Sequence, residues 1–213
     1  MTGNISTAAK RTISRGPWRE YFDQCSVFFR GFMEHPRMVG SIIPSTDWTI
    51  RKMLAPVDWG NCKVFVEYGP GIGTFCKPVL DKLRGDAVMI VIDTNPLFID
   101  YLTRTIRDKR FHAVLGSAEN VEQILADLGV DGADYILSGL PFSTLPEGVA
   151  ESIARATHEA LNPGGAFLAY QFTAAVRDEC KPFFNRIDEG YEWRNILPCK
   201  LYWAWKDKAA AEA

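Results

Sequence analysis

The chain has 213 residues, room for one α/β domain and a short appendage, and its 47% hydrophobic content can build one full core. No apolar run approaches the ~20 residues a membrane-spanning helix needs, and the Ser/Thr-rich start lacks the apolar centre of a signal peptide. The net charge of −2 is uneven: residues 1–55 carry eight Lys/Arg against four Asp/Glu, the remainder sixteen against twenty-two, so a basic arm precedes an acidic globule. Five cysteines (Cys25, Cys62, Cys76, Cys180, Cys199) form an odd set without C-x-x-C spacing. That favours reduced thiols. With His35, His112 and His158 scattered too, no metal site is expected.

Residues 1–14 read as disordered, and Gly16-Pro17 then opens a helix. Trp18, Tyr21, Phe22, Cys25, Phe28, Phe29 and Phe32 fall in one stripe of that helix, with Arg15, Arg19, Asp23, Arg30 and Glu34 on the other side. Two readings stand: a helix packed on the core, or an aromatic, Arg-flanked helix lying among lipid headgroups. Gly40–Ser45 is a loop, and Ser45 or Thr46 caps a helix over Asp47–Leu54 that ends before Pro56. The hydroxyls and free N–H groups there either reach a ligand's carboxylate or phosphate, or simply cap the turn.

Strand and helix then alternate. Strands are expected at 63–67, 88–92, 112–115, 133–138 and 166–172, with helices at 74–84, 96–109, 120–128, 147–161 and 174–187. Two aromatic strands follow at 191–197 and 200–205, joined by Pro198-Cys199 as an antiparallel hairpin. The division is an arm at 1–55, an α/β domain at 56–206 and a frayed tail at 207–213.

The stretch Val64–Phe75, VFVEYGPGIGTF, organises this pattern. A strand runs into a turn with Gly69, Gly71 and Gly73 and then a helix, the way α/β sheets bind nucleotide-like ligands. The next strand ends in Asp93, 24 residues after Gly69, where a carboxylate can accept from both hydroxyls of a ribose. Glu67, just before the turn, would repel a pyrophosphate but suits a cationic amine. S-adenosylmethionine (SAM) has such an amine, a sulfonium and no phosphate. The E-x-G-x-G-x-G run followed by Asp93 resembles motifs I and II of the class I SAM-dependent methyltransferases. That resemblance implies a Rossmann-like, mostly parallel seven-stranded sheet with an antiparallel strand near the C-terminus. It implies SAM-binding roles for Ser45, Glu67, Gly69, Gly71, Gly73, Asp93, Thr94, Asn95, Ser117, Ala118, Ser138, Gly139 and Leu140. Many SAM enzymes carry Asp where Ser117 stands; its hydroxyl can bond adenine, or it only caps the following helix.

Three segments narrow the resemblance: G-S-I-I-P-S (Gly40–Ser45), E-Y-G-P-G-I-G (Glu67–Gly73) and S-G-L-P-F-S-T-L-P (Ser138–Pro146). With the aromatic helix they resemble the bacterial phospholipid N-methyltransferases over about residues 18–205. Tyr68 departs, where Leu is common. The resemblance implies stepwise conversion of phosphatidylethanolamine to phosphatidylcholine by an enzyme of the cytoplasm, peripherally bound to the inner membrane. The N-terminal helix would bind anionic and phosphatidylethanolamine-containing lipid. Tyr21, Phe22, Phe142 and Tyr170 are candidates for an aromatic cage around the amine, of which Tyr21, Phe142 and Tyr170 are singled out as catalytic. A cage suits this reaction because cation–π attraction survives as N–H groups become N–methyls. Arg19, Arg30, Arg177 and Arg186 are candidates for the lipid phosphate. An RNA adenine N6-methyltransferase is the alternative, but it carries Asn/Asp-Pro-Pro-aromatic where this chain has Ser138-Gly139-Leu140-Pro141-Phe142, and the acidic globule disfavours nucleic acid. A third is a membrane-binding protein that keeps SAM only as a structural ligand; intact Glu67 and Asp93 tell against it.

Overall fold

The computed structural model describes residues 47–194 and 198–208. The helix read over Trp18–Phe32, the Gly40–Ser45 loop, Tyr21, Ser45 and the tail from Ala209 lie outside them. The described chain runs α1 (Asp47–Leu54), β1 (Val64–Tyr68), α2 (Cys76–Leu80), β2 (Val88–Asp93), α3 (Pro96–Thr105) and β3 (Phe111–Leu115). It continues through α4 (Val121–Asp127), β4 (Ala133–Ser138), α5 (Val149–Ala160), β5 (Leu161–Gln171), α6 (Ala175–Cys180), β6 (Arg186–Glu192) and β7 (Cys199–Trp205). The sheet order is β3-β2-β1-β4-β5-β7-β6. The first five strands are mutually parallel and β7 is antiparallel to both neighbours.

The central strands are near-continuous apolar runs because both faces of a parallel sheet are covered. Their period of two divides the core. Val64, Val66, Tyr68, Ile90, Ile92 and Ile136 pack with Val121 and Leu125 of α4, Ile153 and Ala154 of α5 and Val176 of α6. Phe65, Met89, Val91, Leu137 and Leu168 pack on the other face with Ile50, Met53 and Leu54 of α1, Val79 and Leu80 of α2 and Leu102 of α3. Tyr68, the departure from the family pattern, is fully buried, and its hydroxyl accepts from Thr157 Oγ1 at 3.3 Å. Among the described residues no helix is long and apolar enough to cross a membrane.

Three boundaries differ from expectation. The glycine turn runs further than read, so α2 opens only at Cys76. The Asn162-Pro163-Gly164-Gly165 turn is an irregularity inside β5, where the register jumps from Ala133↔Leu161 to Tyr135↔Ala166. Helix α6 stops at Cys180, and the strand read at 191–197 is β6 at Arg186–Glu192. An edge strand with Arg186, Asp188, Glu189 and Gly190 shows little apolar alternation, so Tyr191 and Trp193 drew the reading downstream. The hairpin itself is present: β6 pairs antiparallel with β7.

Candidate active site

Strand order reverses between β1 and β4, and the carboxyl ends of these strands form the crevice where open α/β sheets place ligands. Two turns meet there. The Gly69 N–H donates to Ile92 O at 2.9 Å, and the Gly139 N–H to Tyr68 O at 2.9 Å. A Cβ on Gly139 would stand 2.9 Å from Gly69 O and 2.7 Å from Tyr170 Oη, so only glycine lets the loops approach this closely. Gly71 has φ +56° and nothing within 4 Å of its Cβ position, a left-handed turn facing open space.

Glu67, one residue before the end of β1, is only 2% exposed. Cys76 Sγ donates to its Oε2 at 3.6 Å. Burial pushes its carboxyl up to about 8, with the Cys76 bond opposing and Asp93 adding. A buried carboxylate is costly unless a cation faces it, so this position holds a proton until one arrives. Asp93 is pushed up to about 6 by burial, against the N–H groups of Asn95, Gly71 and Thr94 that donate to it. Beside it lies a narrow cleft with apolar walls from Ile92, Leu140, Leu145 and Ile153 and a rim of Asp93, Thr94 and Ser117. That is the build of a small-ligand site, mostly apolar with a few placed polar groups. An adenosine bearing a cationic amine beyond its ribose fits this chemistry: apolar walls for the base, a carboxylate for the ribose hydroxyls and Glu67 for the amine.

No family model matches the chain. An ornithine lipid N-methyltransferase from Singulisphaera acidiphila is 29% identical over 178 residues, covering 83% of this chain and 93% of that protein. The N-methyltransferase NodS of Bradyrhizobium japonicum superposes with TM-score 0.61 at 12% identity, covering 76% of this chain and 94% of that one. NodS in complex with S-adenosylhomocysteine gives 0.59 at 14% identity, over 74% and 83% of the two chains. A precorrin-6y C5,15-methyltransferase from Geobacter metallireducens gives 0.60 at 14% identity, over 77% and 90%. The chain has the fold of the class I SAM-dependent methyltransferases.

The chain gathers most of its sequence-read residues at this edge. Glu67, Gly69, Gly71, Asp93, Thr94, Ser117, Ala118, Gly139 and Leu140 border the turn or the cleft. Gly73 instead serves packing: a Cβ there would lie 2.6 Å from Leu102 Cδ2. Ser117 is both cap and cleft wall. Its Oγ accepts from Glu119 N at 3.3 Å, opening the short 3₁₀ turn Ala118–Asn120 rather than the α-helix. Asn95 caps α3, accepting from Leu97 N at 3.0 Å, and its Nδ2 is the one buried side-chain polar atom without a partner among the described residues. Ser138 is fully buried and accepts from Leu140 N at 3.2 Å, shaping the loop.

Two acceptor-side expectations are corrected. Phe142 is 3% exposed and packs 6.2 Å from Phe167, so its ring is core rather than cage. Arg186 opens β6 opposite Trp205, at the amino edge of the sheet and away from the crevice, paired with Asp188 at 2.6 Å. Arg177 is tied to Asp178 at 3.0 Å and Glu189 at 3.3 Å. Tyr170 does reach the crevice: its ring stacks on Phe75 at 5.2 Å, and burial and the nearby Glu67 hold its phenol above the usual range. Sequence reasoning missed Cys76, Leu145 and Ile153, because nothing in a sequence marks a buried thiol as a carboxylate's donor or assigns a loop leucine and a helix isoleucine to a cleft wall.

Proposed function

We propose that the enzyme methylates the amine of a membrane lipid headgroup, phosphatidylethanolamine and its mono- and dimethyl forms, toward phosphatidylcholine. SAM supplies an electrophilic methyl group on a sulfonium sulfur. Glu67, Asp93 and the glycine turn would hold the donor, and the β4 loop with Tyr170 would position the attacking nitrogen while keeping water out. The incoming ammonium must first lose its proton, and lipid phosphate, water or a carboxylate can take it.

The observation that carries the lipid reading is the lipid N-methyltransferase relative, matched over 83% of this chain. The end of β4 weighs in the same direction. An adenine N6-methyltransferase presents an amide or carboxylate there, whereas Ser138 is buried and its Oγ already accepts the Leu140 N–H. We further propose that the basic N-terminal arm binds anionic and phosphatidylethanolamine-containing lipid, placing the enzyme at the cytoplasmic face of the inner membrane. Mass spectrometry after incubation with labelled SAM tests the acceptor. Label is expected in phosphatidylethanolamine and not in rRNA. Label in ornithine lipid alone would keep the lipid class and overturn the headgroup. Methylated adenine with untouched lipid would overturn both.

A further inference from the structure

The described residues expose seven large hydrophobic side chains, and their placement is not random. Ile72 sits in the turn after β1, Leu97 in the first turn of the helix after β2, Leu115 ends β3, Phe172 follows β5 and Trp193 follows β6. Since β6 runs in the direction of β5, both being antiparallel to β7, all five stand on the carboxyl edge that carries the crevice. Leu128, after α4, is the exception.

The edge is most developed where α1 meets the end of β6. Trp48 is 51% and Trp193 74% exposed. Arg194 lies 4.4 Å over the Trp48 ring and Arg51 5.7 Å from it, while Tyr191 and Trp193 rings stand 4.2 Å apart. Lys52 donates to Tyr191 O and lies 3.9 Å from Glu192. These side chains surround an open depression of about 430 Å³. Lys200 pairs with Gln171 on one side and Tyr191 on the other, so the patch begins two strand spacings, about 10 Å, from the end of β5. Gln171 Nε2 in turn donates to Leu140 O in the crevice loop.

We propose that this aromatic–basic patch docks on anionic bilayer lipid and turns the catalytic edge to the membrane, an inference that rests on the lipid-methylation reading. Indole and phenol rings with a wet polar end suit the headgroup layer, and Arg51, Lys52 and Arg194 complement lipid phosphate. Charge selects this occupant. The chain's own residues 1–46 carry six Lys/Arg against three Asp/Glu, so they bring the same sign as the patch. A second copy packed about a two-fold axis would set these cations against themselves.

The test is sedimentation of the full chain with phosphatidylcholine vesicles with and without phosphatidylglycerol. Arg51→Ser/Arg194→Ser is expected to weaken binding to the anionic vesicles roughly thirtyfold and to flatten its salt dependence. Trp193→Ser is expected to weaken binding at every salt concentration. SAM affinity and melting temperature should not move, because the side chains are exposed. Wild-type vesicle binding by both variants overturns the proposal. So does a lowered melting temperature with vesicle binding intact, which assigns the patch to the chain's own arm, or loss of a dimer in light scattering, which assigns it to a second copy. Methylation of detergent-dispersed lipid separates the two levels. Methylation with patch-independent vesicle binding sinks the patch alone; patch-dependent binding without lipid methylation sinks the lipid reading alone.

Discussion

Glu67 and Asp93 are two carboxylates a strand apart, and burial treats them unequally. With its carboxyl near 8 in the free enzyme, Glu67 is mostly protonated at pH 7, whereas Asp93, near 6, is mostly ionised. A cationic amine favours the ionised form of Glu67, so SAM binding at pH 7 should release close to one proton. Calorimetry in buffers of different ionisation heat reads this directly, and a heat independent of buffer would rule the assignment out. The same shift has a stability consequence. The folded pKa lies above the unfolded value of about 4.5, so the unfolded chain sheds this proton first, and stability present below pH 4.5 is lost progressively up to about pH 8. Glu67→Gln should therefore melt higher than wild type at pH 8–9 without SAM and about equally at pH 4. Glu67→Ala and Asp93→Ala should each weaken SAM binding by ~1.5–3 kcal/mol, the worth of a charge-assisted hydrogen bond.

Between β1 and β4 the site depends on how closely two loops approach. Gly139→Ala would force a methyl against Gly69 O and Tyr170 Oη at 2.9 and 2.7 Å. Backbone cannot give way as a flexible side chain can, so the expected outcome is a loss of about 1–3 kcal/mol in stability together with weaker SAM binding. Denaturant melts and calorimetry on one preparation check both. Elements of this kind were legible where one physical rule acted alone. Buried strands β1, β2 and β4 declared themselves by unbroken apolar runs, and the glycine turn with Glu67 and Asp93 marked the ligand crevice. Legibility failed where contacts distant in sequence decide. Phe142 looked like an acceptor aromatic because of its motif, but its fate was set by Phe167 on a neighbouring strand. Edge strand β6 hid behind its polar residues because only one neighbour, β7, holds it.

For the molecule as a whole, charge and apolar surface are distributed around one edge. The arm and the patch at Arg51, Lys52 and Arg194 are both basic, whereas residues 56–213 carry sixteen Lys/Arg against twenty-two Asp/Glu. An acidic body should be repelled by an anionic bilayer except where these cations face it, so charge orients the enzyme as well as attracting it. In the proposed contact the exposed Arg51 and Arg194 face lipid phosphate, and such attraction is screened over ~8 Å at physiological ionic strength. Vesicle binding should consequently fall as salt rises, and methylation of vesicle-embedded lipid should fall in parallel, while SAM affinity changes little. Deleting residues 1–34 sharpens the point. Both faces of the sheet already have a core among the described residues, one closed by α4–α6 and the other by α1–α3. The truncated enzyme should therefore stay folded and bind SAM, yet bind anionic vesicles more weakly and less salt-dependently, with about 1 kcal/mol lost for each basic residue that touches the surface. Thermal melts beside the vesicle assay decide the matter. A truncated enzyme that melts normally and sediments as wild type would remove the arm from the membrane contact. One that unfolds would make it part of the core.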